Sequence, residues 1–211
     1  MKSSIESYVI IRNQKVAGNG ELLLESGEKH GPAFFTGVYK HFGINYPKFY
    51  KMDNLCKLGF LASEILLKGK DLNKEANNTG TAVVIYNAAS SLDTDRNHQQ
   101  SIHNRASYFP SPSVFVYTLA NIVIGEICIR NKFYGEGSFF IEEEFNADAI
   151  YTYVKQLFKE GMADHCITGW LNYDHDTYEG ILYLIKKTGT GNTGIAIFEP
   201  GKLKDIYLQR N

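Results

Sequence analysis

The sequence predicts a single α/β domain whose mixed, mostly parallel sheet is covered by helices. Short apolar segments alternate with longer segments of helical period, which is the pattern of crossover units. The run from Thr81 to Tyr86 is apolar and rich in β-branched residues, as in a strand buried on both faces. The 211 residues, 44% of them apolar, are enough for one well-buried domain.

The N-terminal part predicts one strand, one irregular region and one helix. Tyr8 to Arg12 has the pattern of a short strand. The segment 17–50 contains six of the nineteen glycines and two of the five prolines, so we expect an irregular cap or loop region there. Met52 to Lys68 has apolar residues at three-to-four spacing, with Asp53 or Asn54 as the N-cap, and predicts a helix.

The remaining chain alternates between strand and helix patterns. Three further helices are predicted, at Thr94 to Asn104, Val116 to Lys132 and Phe145 to Lys159. Four further strands are predicted, at Ser138 to Ile141, His165 to Leu171, Tyr178 to Ile185 and Thr193 to Phe198. The glycine-rich residues 187–192 favour a hairpin between the last two strands, and therefore an antiparallel edge.

Charge and hydropathy exclude several classes of partner. With 22 Lys+Arg against 23 Asp+Glu, the net charge of −1 provides no basis for binding nucleic acid or an anionic membrane surface. No apolar run reaches the roughly 18 residues of a membrane span. The residues Met1 to Glu6 lack the apolar core of a secretory signal. We therefore expect a cytoplasmic protein with no membrane span and no nucleic-acid partner.

The residues of common catalytic and metal sites do not form recognisable motifs. Cys56, Cys128 and Cys166 are widely spaced in apolar surroundings, which indicates reduced, buried thiols. Asp174-His175-Asp176 offers possible cation ligands, but a solvated turn is the favoured interpretation. No H-E-x-x-H or G-x-S-x-G motif occurs. We expect no metal and no cofactor.

Three consecutive acids, Glu142, Glu143 and Glu144, stand between a predicted strand and a predicted helix. Acids in a first helical turn stabilise the helix dipole by about 0.3–1 kcal/mol each. Alternatively, one of these carboxylates faces a pocket at the helix N-terminus. Their spacing favours the dipole interpretation and leaves the second one open.

Several segments together resemble one enzyme family. Tyr50 to Gly59 resembles the family's R-M-D-R-x-S-K-L-A helix start, and Ser111 to Asn121 resembles its S-P-x-x-F…L-P-N signature. Ile124 to Ile127 is similar to its A-G-x-I, and Tyr134 to Gly137 to its L-x-G-P turn. Gly161 to Asp164 looks like the region after its nucleophile. Their order and spacing resemble the N-terminal half of a β-ketoacyl-acyl carrier protein synthase, which has a thiolase-like fold.

Two departures from the family change the expected function. The nucleophilic cysteine of the family falls at Glu143 when counted back from Ala149-Ile150, and at Glu144 when counted forward from Gly135. A carboxylate is a poor thioester acceptor, so we assign no catalytic residue. The family's C-terminal half, with its two histidines or histidine and asparagine, has no counterpart here. We expect one domain over 1–211, with short strands and a tail over 171–211, and no condensation by this chain alone.

The resemblance implies a partner subunit. Chain-length factors resemble synthases, lack the cysteine, and pair with an active synthase. The chain is therefore expected to be a non-condensing subunit in polyketide, aryl-polyene or fatty-acid-type biosynthesis. Its expected partners are a β-ketoacyl synthase subunit, or a second copy, and an acyl carrier protein. The implied interface residues are Ser138, Phe139, Phe140 and Ile141. The implied substrate-binding residues are Phe115, Leu119, Asn121 and Ile122.

Two alternative functions stay open. In the first, Glu143 or Glu144 acts as a general base, or promotes decarboxylation, on a malonyl- or acyl-carrier protein. Base chemistry near neutral pH would require burial of that carboxyl group. In the second, the chain is an acyl-binding domain without catalysis, because a fold alone does not determine a function.

Overall fold

One mixed sheet organises the chain in the computed structural model, which describes residues 2–70, 72, 78–104, 106, 109–188 and 194–209. Its strands are β1 (Lys2–Arg12), β2 (Lys15–Gly18), β3 (Glu21–Glu25), β4 (Thr81–Asn87), β5 (Gly137–Ile141), β6 (His165–Asp174), β7 (Thr177–Thr188) and β8 (Ala196–Ile197). The helices are α1 (Gly31–His41), α2 (Asn54–Leu66), α3 (Leu92–Ile102), α4 (Pro112–Val116), α5 (Ile122–Asn131), α6 (Ala147–Lys159) and α7 (Pro200–Tyr207). A 3₁₀ helix spans Pro47–Lys51.

The strand order is β3-β2-β1-β7-β6-β4-β5, and β8 pairs with β1. The α/β class is confirmed, but the expectation of a mostly parallel sheet is wrong. Among the described strands, only β4–β5 and β4–β6 are parallel pairs. The reason is local: β6 and β7 are joined by His175 and Asp176, both with positive φ. Two residues can turn a hairpin, whereas a parallel crossover needs a dozen or more. The predicted turn at Asp174-His175-Asp176 is confirmed.

Helices cover both faces of the sheet. On one face α1, α2 and α5 pack against the sheet, and on the other face α6 and α7 do so. β4 contributes Val83 and Ile85 to the first core and Ala82, Val84 and Tyr86 to the second. All seven of its residues are buried, which confirms the prediction from its continuous apolar run.

Helix α2 begins where the sequence predicts. The Oδ1 of Asp53 accepts a hydrogen bond from the backbone N–H of Cys56 at 2.8 Å, which confirms Asp53 as the N-cap. The helix packs closely because Gly59 has no side chain. A Cβ there would lie 2.4 Å from Val123 and 2.8 Å from Leu171. The glycine therefore lets α2 approach α5 and β6.

Asp53 makes stability depend on pH. Burial raises the pKa of its carboxyl group, against the opposing hydrogen bonds from Cys56 and Thr94. The folded protein then holds this proton at a pH where the unfolded chain has lost it. Asp53→Asn keeps a good N-cap and removes the titration. We expect the wild type to gain stability relative to Asp53→Asn as pH falls from 7 to about 4. Denaturation curves over that range measure this, and parallel pH profiles would contradict it.

The segment 17–50, predicted to be an irregular cap or loop region, contains regular elements. It holds half of β2, all of β3 and α1, and most of the 3₁₀ helix. Most of its glycines and prolines lie at or near the ends of these elements. Gly20 and Gly43 have positive φ in the turns after β2 and α1, and Pro32 lies in the first turn of α1. The prediction was wrong because it took boundary residues for a loop.

The predicted helix from Val116 to Lys132 is only partly confirmed, because Val116 ends α4, residues 117–121 form a turn, and α5 begins at Ile122. The hydroxyl of Thr118 donates to the carbonyl of Phe115 at 2.7 Å, and Ile122 N donates to Leu119 O at 3.0 Å. Such local bonds compete with the helical pattern. The apolar spacing continues through the turn, so periodicity alone could not locate the break.

The C-terminal region also differs from the prediction. β8 pairs with β1 through Ser4↔Ile197 and Ile5↔Ala196, so it does not form the predicted hairpin with β7. The glycine-rich residues 189–193 lie outside the described residues. The predicted tail contains α7, which Pro200 begins. No helix within the described ranges is long and apolar enough to cross a membrane.

Candidate functional site

β5 lies at one end of the described strand order, beside β4. Val83 N donates to Glu136 O at 2.8 Å, and Glu142 N donates to Asn87 O at 2.9 Å. In a parallel ladder, alternate residues of a strand bond to the same neighbour. The alternate residues of β5, which do not bond to β4, therefore direct their backbone N–H and C=O groups to the open edge. Those residues are Gly137, Phe139 and Ile141.

The side chains of β5 hold the strand in place. The ring of Phe140 stacks on the ring of Tyr86, with 5.0 Å between the ring centroids. It also makes an edge contact with the ring of Tyr153, with 4.8 Å between the centroids. The hydroxyls of Ser138 and Tyr153 are 2.8 Å apart. Ile141, by contrast, is 56% exposed. An ordered apolar strand with a free edge can accept a further strand, and left bare it favours aggregation.

The three acids follow β5 directly. The N-cap of α6 is Asn146, whose side chain accepts from Ala149 N at 3.0 Å. The acids thus precede the cap, and the acid in the first helical turn is Asp148. Glu143 and Glu144 are exposed. The burial that a general base would require is therefore missing at both candidate positions.

The segment 115–122 carries a second exposed apolar surface. Phe115, Val116 and Leu119 are 56%, 47% and 53% exposed. Asn121 is exposed too, whereas Ile122 packs against the core. The predicted substrate-binding residues therefore divide into three exposed side chains and one that is partly buried. We call 115–122 the apolar segment.

A buried carboxylate holds the apolar segment. The phenol of Tyr117 donates to Glu126 Oε1 at 3.0 Å, and the ammonium of Lys48 lies 2.8 Å from Glu126 Oε2. Burial, reinforced by the nearby carboxylate, raises the pKa of Tyr117 and keeps its proton in this bond. The hydroxyl of Ser91 donates to Thr118 O at 2.7 Å. The backbone is thus fixed while the apolar side chains stay exposed.

Contacts through α5 and through the loop after β4 connect the apolar segment to β5. The apolar segment leads into α5, and the side chain of Ile124 would be 3.2 Å from a Cβ placed on Gly137 of β5. At the other end of β5, Glu142 bonds to Asn87 of β4. The loop after Asn87 contains Ser91, which holds the apolar segment. The apolar segment is therefore joined to the two ends of β5 through neighbouring elements of the fold.

Sequence reasoning missed the residues that order this end of the sheet. Asn87, fully buried, exchanges two hydrogen bonds with Ser90 at 3.1 and 3.0 Å. Asn172 accepts from the backbone of Ala88 and Ala89 at 3.2 and 3.0 Å. The sequence did contain a signal for Asn87, because it is a polar residue at the end of an apolar strand pattern. No sequence signal connects Lys48 with Glu126.

Comparison with known proteins places the fold. No protein-family profile matches the chain, and no curated protein is significantly similar to it. Solved structures do match. The ishigamide ketosynthase/chain length factor aligns with a TM-score of 0.63 at 16% identity, covering 90% of this chain and 63% of that one. AntDE:AntF, a type II PKS acyl-carrier protein in complex with its ketosynthase, aligns with 0.64 at 12%, covering 88% and 62%. The chain has the ketosynthase fold.

The ketosynthase fold confirms the predicted thiolase-like architecture. This chain spans less than two thirds of the length of the two chains just described. A third structure is the ketosynthase ApeO in complex with its chain length factor ApeC from Xenorhabdus doucetiae. It aligns with a TM-score of 0.60 at 9% identity and covers 98% of this chain and 90% of that one. The matched chain of that complex is therefore similar to this one in length.

Proposed function

We propose that this protein is a non-condensing, chain-length-factor-like subunit that binds a ketosynthase through β5. The observation that carries the proposal is the free edge of β5, which α5 connects to a firmly held, exposed apolar segment. Structures of the same fold include complexes named as ketosynthase with chain length factor. We expect the subunit to act in the cytoplasm, in polyketide, aryl-polyene or fatty-acid-type biosynthesis, with an acyl carrier protein as a further partner.

The thiols support a non-catalytic role. The nucleophile position of the resemblance falls on Glu143 or Glu144. Burial raises the pKa of Cys56 and of Cys166, and it raises the pKa of Cys128 to about 11. A nucleophilic cysteine needs the opposite shift, because the thiolate is the reactive form. None of the three cysteines is therefore suited to accept an acyl group.

The exposed side chains give the subunit a means to control product length. A partner strand on β5 brings the neighbouring enzyme close to Phe115 and Leu119. These side chains would then form part of the wall that limits the growing acyl chain. A fixed backbone is required for that role, and the bonds to Tyr117 and Thr118 provide it. Bulk at the apolar segment should thus set where elongation stops.

Truncating the apolar segment should lengthen the product. We expect Phe115→Ala and Leu119→Ala, co-expressed with a ketosynthase from the same genome, to shift the main product by one or two two-carbon units. Product mass spectrometry measures the shift. Co-purification of the two proteins should be unchanged, since β5 is intact.

The matched control is Ile129→Ala, because Ile129 is similarly exposed, at 63%, near the other end of α5. It should leave product length unaltered. Unchanged products from Phe115→Ala and Leu119→Ala would remove the length-setting role. If none of the candidate ketosynthases co-purified with the wild type, the proposed function as a whole would be contradicted.

A further inference from the structure

The chain around β5 is strongly acidic. Between residues 133 and 154 there is no lysine or arginine, although the whole chain has a net charge of only −1. Five acids occupy this stretch: Glu136, Glu142, Glu143, Glu144 and Asp148. One of them immediately precedes β5 and three immediately follow it. Among the described residues, no lysine, arginine or histidine forms an ion pair with these four flanking acids.

These acids oppose pairing between two copies. Two β5 strands related by a two-fold axis run antiparallel, so the start of one lies opposite the end of the other. Centring the pair on Phe139 matches all five strand residues and their outward backbone groups. Glu136 of each copy then lies opposite Glu142 of the other, and this contact occurs twice. Directly opposed like charges destabilise a strand pair.

Shifted registers do not remove the conflict. Because only alternate residues face the open edge, the pairing can move only in steps that preserve this alternation. Centring on Phe140 pairs three strand residues and puts Glu136 opposite Glu144. Centring on Ser138 also pairs only three strand residues, and it puts Glu142 opposite Tyr134. A pair of β5 strands from two copies thus either matches all five strand residues and brings like charges together, or matches only three.

We propose that these acids make β5 select an edge strand of a different protein that carries lysine or arginine at both of its ends. Such a strand, running antiparallel to β5, places one basic end beside Glu136 and the other beside Glu142 to Glu144. The inference rests on the proposed function, in which a ketosynthase supplies the strand. It adds that a second copy of this chain is excluded by charge, although the backbone edge would accept it.

The test is the oligomeric state of the purified chain at low salt. The wild type should be monomeric in sedimentation velocity. The variant Glu142→Lys/Glu143→Lys/Glu144→Lys brings lysines opposite Glu136 of a second copy. We expect it to dimerise at least about tenfold more tightly than the wild type, and more weakly at high salt, because exposed charges are then screened. The same variant should bind the ketosynthase at least about tenfold more weakly.

Two further variants locate the effect. Ile141→Pro removes an N–H that faces the open edge and leaves the bonds to β4 in place. Added to the triple variant, it should restore the monomer. Glu28→Lys/Glu160→Lys/Asp205→Lys makes the same charge change at exposed positions outside the β5 region and should stay monomeric. Circular dichroism confirms folding, and single Glu142→Lys serves if the triple variant is unfolded.

The outcomes separate this inference from the proposed function. A wild type that dimerises at low salt, and loses the dimer with Ile141→Pro, would overturn the charge selection. So would a ketosynthase that binds the wild type and the triple variant equally, although the proposed function would survive. A triple variant that dimerises through β5, with no ketosynthase binding the wild type, would support the charge selection against self-pairing and contradict the proposed function.

Discussion

Replacing Gly169 by alanine should destabilise the protein by about 4 kcal/mol or more, the largest effect that we expect from a single methyl group. Gly169 has φ +155°, and a Cβ there would lie 2.0 Å from the carbonyl oxygen of Ile181. The contact is with backbone, so no side chain can rotate away. β6 is also paired on both sides, through Ile85↔Gly169 in β4 and Gly169↔Leu182 in β7. Relief would therefore require two ladders to shift.

Chemical denaturation of wild type and Gly169→Ala measures this loss. The matched control is Gly125→Ala, inside α5, where nothing lies within 4 Å of the added Cβ. There alanine should stabilise the helix by up to about 1 kcal/mol. A loss of stability below about 1 kcal/mol in Gly169→Ala would contradict this prediction. It would mean that the ladders of β6 with β4 and β7 shift more easily than their geometry indicates.

Lys48→Met should cost about 2 kcal/mol. Glu126 is buried; Tyr117 donates to its Oε1, and the ammonium of Lys48 forms an ion pair with its Oε2. Removing one partner of a buried ion pair typically costs about 3–5 kcal/mol, because the remaining charge is left uncompensated. The side chain of Lys48 is itself 42% exposed, so water screens part of the interaction. We therefore expect a loss of about 2 kcal/mol, below the range for a fully buried pair.

Two controls accompany Lys48→Met in thermal and chemical denaturation. Lys15→Met breaks an ion pair with the exposed side chain of Glu25 and should change stability by less than about 0.5 kcal/mol. Adding Glu126→Gln to Lys48→Met removes the stranded charge and should restore most of the loss. Equal effects of the two single lysine substitutions would show that the Glu126 pair contributes no more than a surface pair.

The sequence predicts elements whose pattern is local. The continuous run of β4, the capped start of α2 at Asp53 and the strand at β5 each follow from neighbouring residues. Pairing between distant segments does not leave such a pattern. Nothing near Lys2 to Arg12 indicates that this segment inserts between β2 and β7. For the same reason, the family resemblance indicated the surfaces at β5 and Phe115, but could not indicate which backbone groups of β5 remain free.

The pairing of β1 with β7 has a consequence for how the protein is made. Ten matched positions, from Lys2↔Thr188 to Arg12↔Glu179, join one strand to another that is synthesised much later. The ribosome must therefore release the whole segment between these two strands before the sheet can close. Contacts so distant in sequence form slowly, and nascent chains with unpaired strands are prone to aggregate. We expect the proposed binding of a ketosynthase to follow the closing of the sheet, because the open sheet would expose unpaired strands.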